Sequence, residues 1–313
     1  MSFIDKALEK AKARQKKEVR QTVPPKPERL PADTPLVSSA ALPEQEIIPS
    51  EIEYTITRTV AVDPEVMRQN RLIAGGGEVE AAAAEEYKLL RTHILQRTRG
   101  ESRNTLMITG PRPGEGKTLT AINLAISISH EVNQTVLLVD ADLRSPSVHR
   151  CFGIPRGEGL IDHLTRGVPL SELLVHPQGL GKLVILPGGK PATKAAELVS
   201  SPTMAELVQE LKHFYPNRYV IFDLPPLLTY ADALAFAPSV DGIIVVVEAG
   251  KSSREDIERC QEMLKKFNLL GFVLNKTEVE DTSHYYYGDK RAEKGKFKFP
   301  QFKSGNPSRN LRA

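Results

Sequence analysis

TLMITGPRPGEGKTLTAINLAIS, residues 105–127, joins three unlike pieces. TLMIT is a short apolar run that reads as a buried strand, GPRPG breaks any regular structure, and an apolar helical segment begins at Lys117. A strand, a Gly/Pro-rich turn and a helix in that order make a cradle for phosphate. Glycines let backbone N–H groups approach the oxygens, the helix start adds positive potential, Lys117 reaches the outer phosphates and the Thr118 hydroxyl can coordinate Mg²⁺. The candidate binding residues are Gly114, Glu115, Gly116, Lys117, Thr118 and Leu119. The usual first glycine of G-x4-GK[ST] would fall at Pro111, and a glycine stands one place earlier, at Gly110. The competing reading is a glycine-rich turn that binds nothing; a strand before it and a helix after it argue against that.

Outward from this stretch the pattern repeats. TVLLVD (135–140), LVILP (183–187), YVIFD (219–223), GIIVVVE (242–248) and GFVLN (271–275) are further apolar runs separated by helical segments. Such alternation predicts an α/β fold, a parallel sheet with helices on both faces. Residues 78–97, rich in Ala, Glu, Leu and Arg, predict a helix leading into this domain. Residues 1–18 place Phe3, Ile4, Ala7, Leu8 and Ala11 at helical spacing and predict a short amphipathic helix. Residues 19–77 are studded with proline and end in three glycines, so they are expected to be a mostly disordered linker; the core domain is expected over 78–277 and a polar tail over 278–313.

Two of the strands end in aspartate. VLLVDADLR puts Asp140 and Asp142 where the chain leaves the sheet, with Arg144 beyond, and VIFDLPP puts Asp223 at another strand end before two prolines. Ligands in open α/β sheets bind at the C-terminal ends of strands, so the three carboxylates are placed to converge with Lys117 on Mg²⁺ and the reacting group. A single aspartate there is often only a cap or turn residue. The set carries more weight than any member.

Composition sets the bounds. Lys and Arg number 42 against 39 Asp and Glu, for a net charge of +3, which gives no reason to expect nucleic acid as a partner. Cys151 and Cys260 stand far apart with no metal-type spacing, as in a reducing compartment. The longest apolar run, Ile243 to Val247, is too short to span a bilayer and MSFIDKALEKAKARQ lacks the apolar block of a signal peptide; the expected location is the cytoplasm. His149, His163 and His176 show no ligand spacing and are expected at the surface.

With PGEGKT at 113–118, VDADLR at 139–144 and FDLPP at 222–226, the sequence resembles the bacterial tyrosine kinases of the BY-kinase type, relatives of the MinD/ParA-like P-loop ATPases. The resemblance implies ATP and Mg²⁺ as cofactors and catalysis by Lys117, Asp140, Asp142 and Asp223. It also implies Thr118, Asp142 and Asp223 around the metal, with Asp140 accepting the tyrosine proton. A phenol with pKa near 10 needs such a base to attack well. The family's E-x-x-R-x-x-R pattern for ring assembly reads Glu85, Lys88, Arg91 here, with Lys in the middle place. Its tyrosine-rich tail corresponds to Tyr285, Tyr286 and Tyr287, expected phosphosites for neighbouring subunits. The start of the chain and the long linker look like the subgroup encoded beside exopolysaccharide and exosortase genes. A membrane-anchored co-polymerase is the implied activator, recruiting a cytoplasmic homo-oligomer to the inner membrane face.

NKTE at 275–278 resembles the guanine-reading NKxD of GTPases, with Glu278 in place of Asp, so ATP remains the expected nucleotide and Asn275 its base contact. The tail from Lys290 to Lys303 mixes basic residues with Phe297, Phe299 and Phe302, and is expected to be a solvated segment rather than a lipid or nucleic-acid grip. The rival class is a MinD/ParA-type scaffold switched by ATP. That class expects a lysine where this chain has Arg112, and it needs no tyrosine cluster.

Overall fold

In the computed structural model, residues 57–98, 103–214 and 217–277 are described. The apolar runs form the centre of an eight-stranded sheet in the order β1-β4-β5-β3-β6-β2-β7-β8. These are β1 (Arg58–Val60), β2 (Thr105–Thr109), β3 (Thr135–Asp140), β4 (Val175–Pro177), β5 (Leu183–Leu186), β6 (Arg218–Asp223), β7 (Gly242–Glu248) and β8 (Leu269–Asn275). From β5 to β8 all neighbours are parallel. β4 runs antiparallel to β5, and β1 parallels β4, so one edge of the sheet reverses direction.

Side chains alternate across the pleat. Leu106, Ile108, Val136, Leu138, Ile221, Ile244 and Val246 face one layer, where they meet α2 (Glu78–Thr98) and α3 (Lys117–Ser129). Met107, Leu137, Val139, Val220, Phe222, Val245 and Val247 face the other. There they pack on α7 (Ala195–Val199), α8 (Pro202–Phe214), α9 (Asp232–Phe236) and α10 (Arg254–Leu264). Helix α3 is buried on nearly every side, which its Ala- and Ile-rich sequence permits. Between β3 and β4 lie the short helices α4 (Val148–Cys151), α5 (Leu160–Arg166) and α6 (Leu170–Leu173).

The expected linker ends earlier than its prolines suggested. Residues 57–77 hold β1, helix α1 (Pro64–Gln69) and a 3-10 turn at Ile73–Gly75. Pro64 occupies the first helical position, where its fixed φ is favourable, and Asp63 caps the helix by accepting from the Glu65 amide at 2.8 Å. Met67 and Leu72 are buried in the same apolar layer as α3. Asn123 of α3 grips the segment by accepting from the Ile73 amide (3.0 Å) and donating to the Arg71 carbonyl (3.2 Å). The expected helix over 1–18, the rest of the linker and the tail lie outside the described residues.

Candidate active site

β3 and β6 are neighbours in register, so Asp140 lies beside Asp223, and Ile108 of β2 lies on the far side of Asp223. By the pleat, Asp140 and Asp223 continue the rows Val136–Leu138 and Tyr219–Ile221, which face α3. Both carboxylates therefore come off the strand ends on the side where α3 begins with Lys117 and Thr118. The Thr118 hydroxyl donates to Asp223 Oδ2 at 2.6 Å. Asp140 Oδ2 accepts from the amides of Ser147 (2.8 Å) and Val148 (2.9 Å) at the start of α4. The other oxygen of each, Asp140 Oδ1 and Asp223 Oδ1, is buried with no protein partner among the described residues. Two unpaired acceptors on neighbouring strand ends are what a hydrated cation or an acidic proton would satisfy.

Burial first, and the charge of Asp223 second, push the Asp140 carboxyl well above the ordinary range. Burial pushes Asp223 up to about 7, opposed by the Thr118 hydroxyl and Lys117. Asp142 is half-buried and also raised, chiefly by desolvation, with Lys117 pulling the other way. Lys117 thus sits close enough to bias two of the three acids. Arg144 forks onto the buried Asp232 at 3.0–3.1 Å and stacks over the Tyr230 ring at 4.5 Å, fixing the turn that carries Asp142.

The loop itself has the shape its glycines predict. Gly114 and Gly116 adopt left-handed φ values of +86° and +95°. Gly110 answers for the displaced first glycine: a Cβ there would lie 2.6 Å from the Val246 carbonyl, so the loop leaves β2 pressed against β7. Gly116 stands at the cap position before helix α3 and offers no side chain, which leaves the helix's first amides for a ligand. Asn275 at the end of β8 donates to the Glu115 carbonyl at 2.9 Å, and Lys276 donates to the Gly114 carbonyl at 2.7 Å while pairing with Glu248 at 3.1 Å. Asn275 therefore meets the loop directly. Among the described residues no three His, Cys, Asp or Glu side chains group to hold a metal by themselves, so Mg²⁺ here would need phosphate and water oxygens beside Thr118 and the acids. Glycine cradle, uncapped helix and unpaired carboxylate oxygens together fit a metal–nucleotide.

Of the expected ring residues, Glu85 and Lys88 form an exposed pair at 2.6 Å, while Arg91 turns inward to the Ser127 carbonyl (2.8 Å) and Glu131 (2.8 Å). Tyr285, Tyr286 and Tyr287 lie outside the described residues. His149, expected at the surface, is buried in α4 at 3% exposure, because the turn it stands on folds back over the apolar layer; His163 and His176 each bond a backbone carbonyl. Neither cysteine is reactive in character: burial pushes Cys151 up to about 11 and Cys260 up to about 12. Reading the sequence missed Asp232, Asp256 and Ser252, which stand outside any motif.

A family model for ParA, described as "NUBPL iron-transfer P-loop NTPase", matches residues 101–294. Tyrosine-protein kinase YwqD of Bacillus subtilis is 35% identical over 226 residues, 71% of this chain and 94% of YwqD. The chain belongs to the bacterial tyrosine kinases. It is a P-loop kinase, and its fold is that of a nucleotide-binding protein. The kinase domain of Escherichia coli tyrosine kinase ETK superposes with a TM-score of 0.57 at 28% identity, over 66% of this chain and 80% of that one. Succinoglycan biosynthesis transport protein ExoP of Rhizobium meliloti is 31% identical across 64% of this chain, which corresponds to 26% of ExoP. No helix among the described residues is long and apolar enough to cross a membrane.

Proposed function

We propose that this kinase transfers the γ-phosphoryl group of Mg-ATP to tyrosines of its own tail, Tyr285, Tyr286 and Tyr287, in trans within a homo-oligomer. The observation that carries this reading is the meeting of Lys117, Thr118, Asp142, Asp223 and Asp140 at one sheet edge on the face of α3. Amides of Gly114 to Leu119 and the Lys117 ammonium would hold the phosphates. Thr118, Asp223 and Asp142 would hold Mg²⁺, which when bound neutralises charge developing on the phosphates. In the transfer, the bond from the γ-phosphorus to the β,γ-bridging oxygen breaks as a bond to the phenol oxygen forms. The phenol proton goes to Asp140, whose free Oδ1 and raised proton affinity suit a base. Asp142, the half-exposed acid on the same turn, lines the approach.

Asn275, close to the loop, is the proposed neighbour of the adenine. Polysaccharide synthesis or export is the proposed context, by likeness to ExoP, with a membrane-anchored co-polymerase recruiting the kinase from the cytoplasm. Glu85, Lys88 and Arg91 are the proposed ring contact, although Arg91 would have to leave Glu131 to reach a neighbour. Lys117→Met is expected to abolish tyrosine phosphorylation of protein purified from cells lacking other tyrosine kinases. Phosphotyrosine at wild-type level on that variant, read by mass spectrometry, would refute the assignment.

A further inference from the structure

The turn from β7 into α10 lies outside every phosphate-site motif, yet it holds the phosphate loop at two points. Glu115 is 2% exposed, and both of its oxygens are engaged. Oε2 accepts from the Arg112 amide at 2.7 Å and Oε1 from the Ser252 hydroxyl at 2.5 Å. Ser252 is itself fixed, since its oxygen accepts from the Glu248 amide at 2.8 Å. Arg112 then reaches the same turn by its side chain: Nε and Nη2 donate to Asp256 Oδ2 and Oδ1 at 2.6 and 2.9 Å. Asp256 stands in the first turn of α10, its amide bonded to the Ser253 hydroxyl at 3.1 Å. A two-point fork sets orientation as well as distance.

These contacts fall on either side of Gly114, the first of the two left-handed glycines. With residues 112 and 115 both anchored, the intervening backbone has little freedom to collapse inward when no phosphate fills it. We propose that Ser252 and Asp256 are positioning residues of the nucleotide site, which hold Glu115 and Arg112 so that the loop amides stay aimed at the phosphates. The inference rests on the nucleotide-binding reading above. Neither residue touches the nucleotide; each acts by sparing the loop the ordering that binding would otherwise demand.

Calorimetry with Mg-ADP on the full chain tests this. Arg112→Ala and Asp256→Ala are each expected to weaken binding by roughly fivefold to tenfold, and the double variant no further than the worse single, because one shared contact is lost only once. Ser252→Ala is expected to weaken it about threefold by removing one hydrogen bond. Arg254→Ala, on the same turn but paired outward with Glu258 at 2.7 Å, should leave the affinity unchanged. Single variants within twofold of wild type, or effects of the two that multiply in the double, would overturn the proposal. Should an Asp256 variant prove unfolded by circular dichroism, Ser252→Ala decides by the same measurement, and unchanged affinity there overturns it. Lys117→Met separates the two ideas: Mg-ADP binding at wild-type strength in that variant would overturn the nucleotide site itself.

Discussion

Asp223 shows most sharply how the site works against the fold. Its carboxylate is fully buried beside Asp140, one oxygen has no partner among the described residues, and Thr118 and Lys117 offset part of the loss of water. Replacing it by Asn removes the charge and keeps an oxygen for Thr118. Asp223→Asn is therefore expected to raise the Tm of the nucleotide-free protein at pH 8 by a few degrees while eliminating autophosphorylation, a trade often seen where catalysis needs a strained group. A lower Tm for the variant, in a thermal melt without Mg²⁺ or nucleotide, would mean that the buried acid stabilises the fold after all.

Among elements, the least expected is the segment from β1 to the 3-10 turn. Leu72 is wholly buried, and Asn123 ties the backbone on both sides of it to the helix that begins at Lys117. Leu72→Ala should cost about 2–5 kcal/mol, a Tm loss of roughly 5–15 °C; a melt shifted by less than 2 °C would show the segment to be dispensable. Why the sequence concealed it is physical. The strands β2, β3 and β7 are continuous apolar runs and could be read to the residue, because both faces are buried. β1 and β4 have three residues each, too few for any period to register, and Pro64 looks the same to a composition count whether it starts a helix or breaks a chain. That Asp140 and Asp223 stand at strand ends was readable, since each closes an apolar run; which face of the sheet they take came from the pleat and register. Their shared burial and the reach of Arg112 to Asp256 were not, because each depends on residues far apart in the chain, the latter 144 positions apart.

At the scale of the whole molecule the site lies at the C-terminal ends of β3 and β6, and the proposed acceptors lie in the tail. Changing Tyr285, Tyr286 and Tyr287 together to Phe is expected to remove at least about nine-tenths of the phosphate incorporated. Phosphate persisting at Tyr230, which is 40% exposed at the rim of the site, would contradict the tail assignment. On α2, Glu85 and Lys88 stay exposed as a pair, while Arg91 is held by the Ser127 carbonyl of α3 and by Glu131.

That β8 ends on the phosphate loop has a kinetic corollary. Tyr285 follows Lys276 by only nine residues, a leash of at most about 30 Å when taut. A tethered acceptor meets its own site at a local concentration that no dilution can lower, whereas an acceptor borrowed from a neighbour becomes scarce as molecules separate. Transfer between subunits therefore predicts that phosphorylation per molecule slows once dilution takes the protein below the concentration at which its oligomer falls apart, and an unchanged rate in protein shown by ultracentrifugation to be monomeric would instead mark each chain as its own substrate.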